Sequence, residues 1–470
     1  MRSCGVLPFV VEPVRRSDAI TAWAGLSTVL ETMRSLGLER VIRERLHVRE
    51  RESGYSEARK VEALVMLMAA GGECIDDIEV LRSDAGLCRL VGALPGADAL
   101  RTFLYEFHAE GLIAEAQAAR KKDQVAYIPG ENKALSELAA VNVAFVHRVS
   151  RLGTCVKATL DHDATVVESH KREAQAHYKG GRGYQPAVVY WAEQDLVVAD
   201  EFRDGNVPAG MDNLRLIRRA FESLPSTVRQ RYFRADSACY EENVLKWLAD
   251  PDREGGVKGE IGFTISADMT AELRKVCAGV AEESWQLVEE RVHETVHCAE
   301  VEFTPGSWSK QAEPLRYLAV RFTARQGELF GDDQRIKYLA VVTNREDAVI
   351  DLLRWHWQKA GTIEHVHDVT KNELGARVLP CGRFGANAAW YRLSMLTYNV
   401  LSAMKSLALP GALGPARPKR LRFLLFNIAG RIVSSGGRLI LRIAEEVEKR
   451  VELIAARRRL RAVMVAVASG

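Results

Sequence analysis

A chain of 470 residues exceeds one ordinary domain of roughly 100–200 residues, so two or three cores are expected. Its 47% hydrophobic content can fill them, and a formal charge of +3 excludes a histone-like polycation while leaving room for local basic surfaces. No apolar run approaches the roughly 18 residues of a membrane helix, "VLPFVV" is too short for a secretory signal, and the eight scattered cysteines contain no C-x-x-C pair; a cytoplasmic location with no membrane partner is expected.

Residues 1–122 read as a helical domain. Ser17 and Asp18 precede "AITAWAGLSTVLETMRSLG" and Ser56 precedes "EARKVEALVMLMAAGG", both as helix-capping residues. Short helices at Ile75–Leu81 and Leu87–Val91, a Gly/Pro turn and a longer helix at Asp98–His108 have helix-turn-helix proportions, with Arg101 on the candidate recognition helix. A plain helical bundle has the same spacing. Residues 123–152 read as a polar linker followed by a lead-in helix at Leu135–Leu152.

From Cys155 the pattern changes to short β-branched runs at Cys155–Asp161, Ala187–Ala192 and Leu196–Phe202, then a helix at Asn213–Leu224 and a strand ending at Asp236. The next core strand is expected at Ile336–Asn344, followed by two helices, Ala348–Lys359 and Ile363–Leu374. The 128 residues from Asp236 to Glu364 are too many for one strand and its connections, so a β-rich subdomain is expected to be inserted at about 250–330. The loop "YKGGRGYQ" (Tyr178–Gln185) lacks the pattern of a nucleotide-binding loop and is either a hairpin turn or a DNA contact through Lys179 and Arg182. The last region, 411–470, reads as basic and helical. Between Arg417 and Arg461 stand 13 Lys and Arg against four Glu, a local charge of +9 in a chain whose remainder carries −6.

Three acids fall where metal-dependent phosphoryl transfer would need them. Asp163 in "VKATLDHDATVV" and Asp236 in "QRYFRADSACY" close strand-like runs, and Glu364 in "AGTIEHVHDVTKNELG" opens a helix. A few carboxylates from distant elements can hold two divalent cations. Asp161, two residues before Asp163, shares its strand face and is an alternative first ligand. On a helix Glu364 and Lys371 lie two turns apart on nearly one face, so a carboxylate could reach a metal while the ammonium meets a phosphate.

The order strand-Asp, strand-Asp, helix-Glu resembles a ribonuclease H-like core carrying a DDE active site. Past it, the chain resembles bacterial insertion-sequence transposases with the signature Y-(2)-R-(3)-E-(6)-K. Counting from Glu364 puts Trp357 at the Tyr position, Ala360 at the Arg position and Lys371 at the Lys position, with Lys359 as a neighbouring stand-in for the missing guanidinium. "DSACY" resembles the family's D-x-(G/A)-(Y/F) element with one extra residue. The likeness spans most of residues 75–410 and looks closest to the thirteen-eighty group of the insertion-sequence four type.

The resemblance implies an α/β fold: a ribonuclease H-like catalytic domain over 153–410 with the β-rich insertion, flanked by helical N- and C-terminal regions. It implies Mg²⁺ or Mn²⁺ held by Asp163, Asp236 and Glu364, and cut-and-paste transposition on double-stranded DNA. The DNA would comprise terminal inverted repeats and a target, engaged by a homodimer in a bacterial cytoplasm or on its nucleoid. Family members stack a tryptophan of the inserted domain on a displaced base, a role that would fall to Trp308, with simple packing as the alternative. Two other functions share these residues: a stand-alone ribonuclease H-like nuclease, and a transposase-derived DNA-binding protein without catalysis, which Ala360 keeps open.

Overall fold

The computed structural model describes residues 3–4, 10–11, 20–48, 54–306, 308, 314–324, 336–444 and 449–469. Ser17 and Asp18 lie outside them. The chain forms two compact units, one of Met1–Ala109, Glu131–Val141 and Val369–Gly470, the other of Glu110–Gly130 and Asn142–Asp368. Among the described residues no helix is long and apolar enough to cross a membrane.

The first unit is organised around the helix Phe384–Leu407, in which every residue from Gly385 to Met404 is buried. A helix apolar on all sides needs partners all round, and Ser27–Ser35, Glu57–Ala70 and Ala97–Tyr105 supply them. Ser56 caps the second of these by accepting from the Arg59 amide at 3.3 Å, and Gly71 ends it at φ +98°, a conformation costly for other residues. Helices Ile78–Ser83, Ala85–Val91 and Ala97–Tyr105 stand where the helix-turn-helix spacing puts them. The C-terminal region is only partly helical. Gly430–Ser435 and Arg438–Arg442 form an antiparallel hairpin before the helix Lys449–Ser469. Its turn is Gly436-Gly437, both at positive φ (57° and 74°), the glycine pair that a tight hairpin favours, so "RLILR" pairs as a strand instead of opening a helix.

The second unit is built on a nine-stranded mixed sheet. In chain order the strands are β1 (Lys157–Ala164), β2 (Ala187–Trp191), β3 (Leu196–Glu201), β4 (Gln230–Ala235), β5 (Gly262–Ser266), β6 (Gln286–Glu290), β7 (Glu294–Val301), β8 (Arg316–Ala324) and β9 (Ile336–Thr343). In space they run β6, β7, β8, β9, β5, β4, β1, β2, β3. The pairs β1 with β4 and β4 with β5 are parallel, and the others are antiparallel. Every residue of β2 and β3 is buried, in keeping with the apolar run of β2 and of the first four residues of β3, which ends in buried Asp200 and Glu201.

Two expectations change here. The strand beside β4 is Gly262–Ser266, inside the segment expected to be inserted, whereas Ile336–Thr343 lies antiparallel on its far side. The strands β6 to β8 continue the same sheet, and Val288, Val296, Cys298, Leu318, Val320 and Val341 form a core with Leu352 and Leu353. Those leucines belong to one continuous helix, Val349–Glu373, not two. Gly361 stays inside it because an exposed helical glycine costs only about 1 kcal/mol relative to alanine. The residues from Val369 onward group with the first unit.

Candidate active site

Parallel pairing of β1 with β4 sets Arg234 opposite Asp161. Two residues further along the same direction, Asp163 closes β1 and Asp236 follows β4, so their carboxyl groups come within hydrogen-bond reach. Burial pushes the Asp236 carboxyl above the ordinary range, the Asp163 carboxylate adds to that, and the Lys359 ammonium opposes it. Asp163 moves the other way. Burial works against its ionisation, but His367 and the Lys359 ammonium outweigh it and hold the carboxyl below the ordinary range. Of the two, Asp163 is the one whose surroundings favour the ionised form. The Asp236 carboxylate oxygen also accepts from the Ala238 amide at 3.1 Å, closing the turn that starts "DSACY".

The long helix supplies the other groups. Lys359 Nζ lies 3.3 Å from Asp163 Oδ1, and His367 Nε2 lies 3.4 Å from Asp163 Oδ2. Eight residues apart, Lys359 and His367 share the face that carries buried Ile363 and Val366. His367 is 5% exposed and faces the site, whereas His365, two residues before it, is exposed. Sequence periodicity had the signal for this, but reading the segment as two helices, interrupted around Gly361, hides the common face.

Asp161 is not available in the same way. It is fully buried and held by Arg234 through Nε at 2.6 Å and Nη2 at 2.9 Å, with the Thr362 hydroxyl donating to it as well. Arg234 also donates to the Trp355 carbonyl at 2.6 Å and stacks on that indole at 5.0 Å, so the pair pins the helix to the sheet. A second pin is His356, whose ring nitrogens lie 2.9 and 3.0 Å from the hydroxyls of Thr264 and Ser266 on β5. Burial pushes His356 down to about 3, so it remains neutral. Behind Asp163, on the opposite face of β1, His162 Nδ1 lies 3.2 Å from the buried Cys239 thiol.

Glu364 is exposed and lines a groove of about 460 Å³ together with Asp236, Ser266, Arg291, Trp357 and Ala360. Trp357, Ala360 and Glu364 form one helical stripe, and the small side chain at 360 leaves the groove open beside Lys359. Trp357 also packs on the core under β6 to β9. Arg291, from the turn between β6 and β7, was not foreseen. It sits over Phe322 and Trp357 at 5.8 Å each, in exposed ion pairs with Glu289 and Glu294.

A hard divalent cation suits the donor chemistry of Asp163 and Asp236, two crowded carboxyl groups that an ion would relieve of their mutual repulsion. Among the described residues, however, no three His, Cys, Asp or Glu side chains are grouped closely enough to hold one ion. The structure thus brings two of the three acids into contact and places the third along the same groove.

The remaining candidates are elsewhere. Trp308 is 8% exposed, which favours simple packing over stacking on a displaced base. Arg101 is engaged by Asp76 at 2.9 Å and Asp98 at 2.6 Å. Arg182 lies in a small sheet of Val167–Glu168, Gln175–His177 and Gly181–Tyr184, where its guanidinium holds the carbonyls of Ala174 and Arg172. Lys179 occupies the exposed tip of that sheet, its ammonium 5.6 Å from the Tyr178 ring. Lys371 follows Glu364 on the same helix, in the part that groups with the first unit.

A family model described as transposase DDE domain group 1 matches residues 12–465. No curated protein sequence matches the chain. Among solved structures, a piggyBac transposase in a cryo-EM synaptic complex with hairpin DNA is similar at 11% identity and a TM-score of 0.40, over 94% of this chain and 82% of that one.

Proposed function

The chain belongs to the DDE transposase family, and from that premise we propose that Asp163, Asp236 and Glu364 are its DDE acids and that it cleaves and joins double-stranded DNA. The contact between Asp163 and Asp236 at the ends of neighbouring parallel strands is the observation that carries this reading. The order β3, β2, β1, β4, β5, with β2 antiparallel to its neighbours, supports a ribonuclease H-like core. The two matches to the insertion-sequence signature, Glu364 and Lys371, support the insertion-sequence four type, and the likeness over residues 75–410 is the ground for its thirteen-eighty group.

Asp163 and Asp236 would hold Mg²⁺ or Mn²⁺, with Glu364 closing on the ion from the groove. Bound there, the metal would supply Lewis-acid stabilisation of the attacking and leaving oxygens of an in-line displacement. Arg234 and His356 keep the helix bearing Glu364 against the sheet, and His367 orients the Asp163 carboxylate. Lys359 and Lys371 would meet phosphates flanking the scissile bond, and Lys179 would contact the duplex backbone. Arg101 and Arg182 would contact DNA only by giving up their present partners. Cut-and-paste transposition requires two cleavages and two joinings at paired ends, which a homodimer on its terminal repeats would provide.

The test is to incubate the full chain, with Mg²⁺ or Mn²⁺, with DNA carrying the sequences that flank its own coding region. Cleavage at a fixed position in an inverted repeat, followed by joining of the 3′ end into a second plasmid, is expected. Cleavage without joining would favour the stand-alone nuclease, and specific binding without either would favour an inactive derivative.

A further inference from the structure

The groove contains a cation of its own. Lys359 places its ammonium 3.3 Å from Asp163 Oδ1, and its side chain is only 12% exposed. The other oxygen of that carboxylate lies 3.4 Å from His367 Nε2, so both Asp163 oxygens face side chains from one helix face. The charge of Lys359 is also felt by Asp236. Any divalent ion that takes an oxygen of Asp163 must either displace this ammonium or bind against it.

We propose that Lys359 is a tethered competitor for the divalent cation. It sets the metal affinity of the Asp163 and Asp236 pair by occupying Asp163 and is released towards a DNA phosphate when the ion binds. This rests on the metal-site reading above and extends it to regulation of loading. Two cations at one carboxylate repel, and the cost falls if an incoming phosphate takes up the ammonium. Metal and DNA would then each favour binding of the other by an equal factor, because coupling between two ligands is reciprocal. Ala360, which leaves the adjoining groove open, gives the flexible lysine stem room to make that exchange.

The test measures Mn²⁺ binding to the full chain without DNA, by the loss of the free-ion electron paramagnetic resonance signal. Lys359→Met and Lys359→Gln both remove the charge, and each should tighten Mn²⁺ binding about ten-fold or more, as removing a like charge from a partly buried site would. Lys359→Arg keeps the charge and should bind as weakly as the wild type. Asp236→Asn should abolish binding in the wild-type and Lys359→Met backgrounds alike. If the charge-removing variants bind Mn²⁺ no more tightly than the wild type while Asp236→Asn still removes the site, the competitor role is wrong and the metal site stands. If Asp236→Asn leaves Mn²⁺ binding unchanged in both backgrounds, both the competitor role and the metal site are wrong.

Discussion

Asp161 and Asp163 lie two residues apart on one face of one strand, both turned towards the same helix, yet they sit in opposite physical states. Asp161 is fully buried, and Arg234 meets it in a two-pronged ion pair with 2% of the guanidinium side chain exposed. Asp163 is 18% exposed at the side chain, holds Lys359 and His367 at longer range, and touches a second carboxyl group. Residue type and strand position are the same; depth and partner geometry differ. A closed bidentate pair can serve as a structural pin because neither charge has anywhere else to go, whereas a carboxylate with loosely held partners at a groove remains open to exchange.

The largest expected effect breaks the pin. Arg234→Leu would strand the Asp161 charge in the interior and should destabilise the protein by about 3–5 kcal/mol, read from chemical denaturation. Replacing both members, as Arg234→Met with Asp161→Leu, should recover much of that loss. If the single and double variants are equally unstable, the pair is not the interaction that matters there.

Asp204 extends the comparison to a half-buried aspartate in no ion pair among the described residues. Burial pushes its carboxyl up to about 6, with Arg120 only partly opposing. Because the folded value lies above the unfolded one, its contribution to stability is fully present below about pH 4 and is lost as pH rises through about 6. Asp204→Asn should therefore stabilise the protein by roughly 1–3 kcal/mol at pH 7 and by little at pH 4, a difference that melting curves at the two pH values would detect. Equal effects at both pH values would remove Asp204 from the set of strained acids.

How far these differences are legible in the sequence depends on which physical signal carries them. Asp163 and Asp236 are visible because strand-like runs end at each. Their contact follows from parallel pairing, which local pattern does not encode. The roles of Lys359 and His367 are hidden by Gly361, which reads as a break and is tolerated inside the helix. Gly262–Ser266 is too short to be told from the strands that follow it, so its place beside β4 emerges only from the sheet. "SSGGR" did carry a hairpin signal, in two glycines that can both take positive φ, against a charge pattern that suggested a helix.

A smaller effect is expected at the surface. Arg457 pairs with Glu31 at 2.8 Å, but the side chains are 53% and 33% exposed. Arg457→Gln should cost at most about 1 kcal/mol, as exposed ion pairs do. Arg458 and Arg461 are exposed on the same helix. If they meet DNA phosphates, replacing both with Gln should lower the slope of log affinity against log salt by about 0.9 for each phosphate no longer neutralised, equally on specific and unrelated duplexes. An unchanged slope would leave them as solubilising charges.

Metal-dependent cleavage of the flanking DNA by Asp161→Asn and Asp163→Asn proteins, compared at equal folded concentration, tests the division of labour between the two aspartates most directly. Asp163→Asn should lose more than the roughly 10–100-fold that changes outside the metal's own ligands cost, with its melting temperature close to that of the wild type. Asp161→Asn should be less stable but still cleave. An Asp163→Asn protein that cleaves at the wild-type rate beside a stable, inactive Asp161→Asn protein would contradict the assignment.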